Sequence, residues 1–150
     1  MTKVDERAAV PVVDERVRER LAAAFDRPGV AAAYLFGSQA TGRTGPLSDI
    51  DIAVWTDSGE ARLDLRLELI GKAAEAAGTG EIDVVILNGA PPLLRHRAIR
   101  DGVLLVERDA QARVRLETEA LLTYLDTAHL RETLAAGRRR RLAEDRFGRR

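Results

Sequence analysis

The chain has 150 residues, with 24 basic and 24 acidic side chains and no cysteine. That length suits one domain with a core of its own. Balanced charge gives no global case for nucleic-acid binding, and the absence of cysteine excludes disulfides, thiolate metal sites and cysteine nucleophiles. Two histidines, His96 and His129, are too few for a histidine-rich zinc site. The opening residues lack the apolar stretch of a signal peptide and no run approaches membrane-spanning length, so the cytoplasm is the expected compartment and no membrane partner is expected. Charge is unevenly spread: from Gln111 onward there are ten basic and six acidic residues, against fourteen and eighteen before it. The body is therefore mildly acidic and the tail basic.

Residues 1–12 are expected to be a poorly ordered lead-in. Over 14–26, Val13, Val17, Leu21, Ala24 and Phe25 recur at helical spacing, and Pro28-Gly29 ends that helix. Residues 30–36 form a short strand, apolar enough to be central. Glycines, Pro46 and polar residues between Gly37 and Ser48 predict a loop with one helical turn, and a second strand follows over 49–55. Asp57 and Glu60 have the spacing of a capping box for the next helix. That segment reads two ways. Leu63, Leu65, Leu67 and Leu69 alternate as in a strand, yet the surrounding residues are helix formers. A helix ending at Gly78 is predicted, with Leu63, Leu67, Ile70 and Ala74 as its apolar stripe.

A third strand over 81–87 carries Asp83 within an apolar run, a costly place for an acid unless it is paired, solvated or bound to a metal. A salt bridge to one of the many arginines is the plain alternative. Pro91-Pro92 opens an arginine-rich helix to 100, and Asp101-Gly102 turns the chain into a strand over 103–106. His96, flanked by arginines, reads as a surface or packing residue rather than a base. From Asp109 a long helix is expected, with Val114, Leu121, Leu122, Leu125 and Ala128 as a stripe that Tyr124 and Leu130 continue. The stripe either packs on the core or docks a partner helix, and sequence does not choose. The arginine-rich tail from Gly137 reads first as a solvated end and second as a contact for RNA or an acidic partner.

The chemistry concentrates between Gly37 and Asp51. Gly37-Ser38 follows the first strand, ten residues intervene, and Asp49-Ile50-Asp51 opens the second. Strand side chains alternate, so Asp49 and Asp51 project to one side and Ile50 and Ile52 to the other. Two carboxylates so placed repel each other unless a cation lies between them. Mg²⁺ suits that role, because it prefers oxygen ligands and is usually shared between carboxylates and substrate phosphates. Glycine lets the backbone approach a ligand closely, and amides that follow it at a helix start are donors for phosphate oxygens.

This pattern resembles the signature of the DNA polymerase β-type nucleotidyltransferase superfamily. The small size is similar to its minimal nucleotidyltransferase (MNT) branch, known chiefly as the antitoxin half of HEPN/MNT toxin–antitoxin pairs. The likeness covers about Val30 to Asp109, including Glu81-Ile82-Asp83-Val84-Val85 and Ala90-Pro91-Pro92-Leu93-Leu94-Arg95. It implies that Asp49, Asp51 and Asp83 are the catalytic acids and hold two Mg²⁺ ions, while Gly37 and Ser38 hold the phosphates of ATP. Where many relatives carry arginine this chain has Thr41, and Arg43 is the expected substitute. The implied activity is transfer of AMP from ATP to a tyrosine hydroxyl of a cognate HEPN RNase toxin, which neutralises it.

The expected architecture is a single α/β domain. A nucleotidyltransferase core spans 13–109 around a mixed sheet of about four strands, followed by a helix over 110–136 and a basic tail over 137–150. Neutralisation of a toxin by binding alone is one alternative, and a small-molecule transferase of the aminoglycoside type is another. RNA binding through the tail ranks last.

Overall fold

Strands that are apolar on both faces have to be covered on both faces, and that requirement sets the layering here. The computed structural model describes residues 13–41, 49–59 and 62–147. The expected lead-in, Arg43 and Glu60 lie outside these residues. Four strands, β1 (Val30–Phe36), β2 (Ile50–Thr56), β3 (Ile82–Ile86) and β4 (Val103–Glu107), form one sheet in the order β3-β2-β1-β4. β1 runs antiparallel to both β2 and β4, whereas β2 and β3 are parallel. The sheet is thus mixed and four-stranded, and the apolar β1 is central.

Helices α1 (Glu15–Phe25) and α3 (Leu63–Ala77) cover one face. Val17, Leu21 and Phe25 pack there with Leu65, Leu69 and Ala73 against Leu35, Ile52, Val54 and Val84. The opposite face receives α4 (Pro92–Asp101) and α5 (Ala110–Asp126), whose Ala98, Leu116 and Ala120 join Tyr34, Ala53 and Trp55. Asp14 caps α1 by accepting the Val17 N–H at 2.9 Å. Short α2 (Ser38–Thr41) is the helical turn expected after Gly37.

Three expectations need correction. Of the α3 stripe expected at Leu63, Leu67, Ile70 and Ala74, Ile70 packs against the core but the two leucines do not. Leu63 is 66% exposed and Leu67 58%, and the buried positions are Leu65, Leu69, Ala73 and Ala77. With leucine at four alternate positions both faces are apolar, and the face with Ala73 and Ala77 presents the small residues that let the helix lie close to the sheet. Nor does Asp57 cap α3. The residue before α3 is Arg62, with no side-chain cap, while Asp57 accepts the Gly29 N–H at 3.1 Å and ties the α1–β1 turn to the end of β2. Gly78 does end α3, in the left-handed conformation at φ 69°.

The third correction concerns the C-terminus. The single helix expected over 110–136 is two helices, α5 and α6 (Ala128–Phe147), separated at Thr127. Residues of the basic tail from 137 to 147 are therefore helical. α5 buries Leu116 and Ala120, whereas Val114, Leu121, Leu122, Leu125 and, on α6, Leu130 stay exposed. Polar contacts explain which side of α5 faces in: the Tyr34 hydroxyl donates to Glu117, and Arg113 pairs with both Glu107 and Glu117. His96 is a packing residue, as expected, stacked on Tyr124 with centroids 3.7 Å apart. Arg131 lies 3.7 Å from the same ring, so one tyrosine links α4, α5 and α6.

The α3 assignment is testable by truncation. Leu69→Ala, at a fully buried position, is expected to cost about 2–5 kcal/mol of unfolding free energy in a urea titration. Leu67→Ala should stay within about 0.5 kcal/mol of wild type. The reverse order would restore the stripe read from sequence.

Candidate active site

The parallel register of β2 and β3 sets the site. Asp51 pairs with Asp83 and, on its other side, with Phe36 of β1. Asp49 sits one residue ahead of β2 and is exposed. Ile50 and Ile52 point into the α1/α3 core. By strand alternation Asp51 therefore faces the opposite side, with Ala53 and Trp55. Asp83 follows the same logic, since Val84 and Ile86 belong to the α1/α3 core. The structure thus brings Asp49, Asp51 and Asp83 to one face at one end of two neighbouring strands.

The electrostatic consequence falls on Asp51. Its carboxyl is pushed up to about 6 from an ordinary 3.8, first by burial and then by the charges of Asp83 and Asp49. A positive charge beside such an acid would relieve both repulsions. Among the described residues no three His, Asp or Glu side chains stand in an arrangement that could hold a metal ion. The chemistry of the donors still fits a hard divalent ion, being all carboxylate oxygen.

Asp83 differs from its sequence-based description. It is not sunk in an apolar environment: its side chain is half exposed, because β3 is an edge strand. It also has the arginine partner that was the plain alternative, Arg66, whose Nη2 donates to Oδ1 at 3.2 Å. The register places it beside Asp51, but the burial argument that drew attention to it does not hold.

Gly37 is required twice over. Its φ of 71° is in the left-handed region, and a Cβ there would collide with the Asp51 carboxylate, lying 3.3 Å from Cγ. The backbone of the Gly37-Ser38 turn therefore runs directly against the acid cluster and opens α2 there. Thr41 is the last residue of α2. Arg43, expected to substitute for an arginine at that position, lies outside the described residues. Arg66 is the residue that sequence reasoning missed. No local pattern marks it, since its contacts to β3 cross from a helix 17 and 18 residues away.

Two outcomes follow. Gly37→Ala places a side chain where neither the backbone angle nor Asp51 allows one, so it is expected to lower stability by about 1 kcal/mol or more in a urea titration. For Asp51, the folded chain holds its proton more tightly than the unfolded chain. That contribution is stabilising at low pH and is lost as pH rises from 3.8 through about 6. In chelator, the melting temperature of Asp51→Asn should therefore gain on wild type between pH 4 and pH 7. A gap that stays constant over that range would show that Asp51 is not strained by its neighbours.

Comparison with known proteins agrees with this geometry. The family model described as polymerase beta, nucleotidyltransferase matches residues 19–111. The "putative protein adenylyltransferase" of Methanocaldococcus jannaschii is 39% identical over 75 residues, covering 50% of this chain and 78% of that one. Among solved structures, a chain from a toxin–antitoxin complex with AMP-PNP superposes with a TM-score of 0.67 and 25% identity, covering 83% of this chain and 98% of its own. A complex of tri-AMPylated Shewanella oneidensis HEPN toxin with MNT antitoxin gives 0.64 at 23% identity, covering 81% and 94%, and shares the fold. No helix among the described residues is long and apolar enough to cross a membrane. With the motif, the sheet and these likenesses in agreement, the chain belongs to the polymerase β-type nucleotidyltransferase family.

Proposed function

We infer that this chain is a Mg²⁺-dependent MNT antitoxin that transfers AMP from ATP to a tyrosine hydroxyl of a HEPN RNase toxin. The observation that carries the reading is the Asp51–Asp83 register with Gly37 packed against Asp51. The likeness to a protein adenylyltransferase and to a complex solved with AMP-PNP supports an adenine nucleotide as the donor. Similarity to toxin–antitoxin complexes supports a HEPN partner and neutralisation as the purpose.

In this reading Asp49 and Asp51 would hold the metal that accompanies the triphosphate, and Asp83 would help hold a second ion. Gly37 and Ser38 hold phosphate oxygens through the turn that opens α2. Arg43 is a candidate for a further phosphate contact. When bound, two Mg²⁺ ions supply charge neutralisation for both the attacking and the leaving oxygen of an in-line displacement. Asp83, at the exposed edge of the sheet, accepts the proton of the tyrosine hydroxyl. A bond forms between the tyrosine oxygen and the α-phosphorus. The bond from that phosphorus to the β-phosphate bridge breaks, and pyrophosphate leaves with the electron pair. The protein's share of the rate comes from holding these groups in line, as in phosphoryl chemistry generally.

A half-exposed Asp83 on an edge strand favours a large acceptor over a small one, because a protein side chain can be presented there from outside the domain. Neutralisation by binding alone and transfer to a small molecule are the competing outcomes. The test is intact mass spectrometry of a HEPN protein encoded beside this gene, after incubation with the chain, Mg²⁺ and each NTP. One or more added AMP masses are expected with ATP. Asp49→Asn and Asp51→Asn should each lower transfer by at least about 10²-fold, the scale for losing one preorganised electrostatic group, without lowering the melting temperature. Full activity in Asp51→Asn would end the mechanism. A stable complex without added mass would establish binding alone, and neither binding nor modification would favour a small-molecule acceptor.

A further inference from the structure

Arg66 stands in the first turn of α3, on the face of the sheet opposite the acid cluster, yet its guanidinium reaches round the edge of β3. Its Nε donates to the Val84 carbonyl at 2.6 Å and its Nη2 to Asp83 Oδ1 at 3.2 Å. The carbonyl is available for a geometric reason. Ile50 N–H bonds to the Glu81 carbonyl and Leu87 N–H to the Val54 carbonyl, so alternate residues of β3 serve β2 and Val84 turns its carbonyl away. Arg66 thereby grips backbone and carboxylate at adjacent residues with one planar group. Only one Asp83 oxygen is engaged in this way.

The ion pair is poorly suited to a purely stabilising role. The two side chains are 38% and 50% exposed, and exposed pairs contribute little to folding. Geometry is what the fork supplies. A guanidinium anchored on a carbonyl fixes the direction of its second bond, whereas a lysine would offer a mobile point charge. Carboxylates that bind metals are commonly oriented by such hydrogen bonds, and loss of the orienting group typically costs about 10–100-fold in metal affinity or activity.

We propose that Arg66 is a positioning residue for the transfer reaction: it holds Asp83 by one oxygen, leaving the other directed to the cation and the acceptor hydroxyl. The proposal rests on the role of Asp83 inferred above. It acts through Asp83 alone, so Arg66 touches neither nucleotide nor acceptor.

The experiment combines Arg66→Ala, Arg66→Lys, Asp83→Asn and the double variant Arg66→Ala/Asp83→Asn. Each is measured for AMP transfer to the HEPN protein and, without acceptor, for Mn²⁺ binding by electron paramagnetic resonance in the presence of AMP-PNP. Melting temperatures are recorded alongside. Arg66→Ala is expected to lower kcat by about 10–100-fold with the KM for ATP unchanged, and to weaken Mn²⁺ binding. Arg66→Lys should melt like wild type and still lose transfer, which separates the fork from the charge and from folding. In the Asp83→Asn background, removing Arg66 should change neither quantity further. Wild-type transfer and Mn²⁺ binding in Arg66→Ala or Arg66→Lys, with Asp83→Asn inactive, would overturn the proposal and leave the transfer reading standing. So would an undiminished Arg66→Ala effect in the Asp83→Asn background. Wild-type behaviour of Asp83→Asn itself would remove both.

Discussion

The register between β2 and β3 is the constraint on which the site depends. Asp51 lies opposite Asp83 because Ile52 lies opposite Val84 and Val54 opposite Ile86. Those four apolar residues are buried on the α1/α3 side with Leu69 and Ala73. A slip of one residue would turn Val84 and Ile86 out of the core and swing Asp83 to the wrong face. Packing on one side of the sheet therefore enforces the juxtaposition of acids on the other. The Asp51 carboxyl is raised first by its burial and then by the charges of Asp83 and Asp49. Hydrophobic burial holds together a cluster that its own charges would separate.

Much of this was legible in the residues. The bounds of β1 agree with the run of seven apolar residues, because such a run leaves no polar face and has to be central. The helix at 15–25 declares itself by Asp14 at its start and by Val17, Leu21 and Phe25 in four-residue steps. Gly37, Asp49 and Asp51 were identifiable because their spacing is local and lies between two recognisable strands. In each case the information sits within a few residues of the feature it predicts.

What was not legible depends on distant partners. Four alternating leucines give α3 two apolar faces, and only the sheet beneath decides that Leu65 and Leu69 go in. On α5 the obvious leucines remain outside, while the inward face is selected by Tyr34 and Glu107, which come from β1 and β4. The break at Thr127 carries neither glycine nor proline to announce it. Arg66 is one of many arginines, and nothing but the placement of α3 beside the β3 edge distinguishes it.

Asp83 shows how a neighbourhood read from sequence can mislead about burial. Its neighbours in sequence are apolar, which suggests burial, but strand alternation puts Val84 and Ile86 in the core and leaves Asp83 on the other face of an edge strand. Exposure makes the acid inexpensive to keep. Asp51 is partly desolvated, flanked by two other acids and backed by Gly37, conditions that strengthen its hold on a cation. Asp83 is half exposed and braced from outside by Arg66, conditions that suit a carboxylate meeting an acceptor. On the transfer reading, Asp83 lies on the open edge of the sheet and Asp51 on an inner strand. A protein acceptor then supplies the wall that the β3 edge lacks, so the partner completes the site it is modified in.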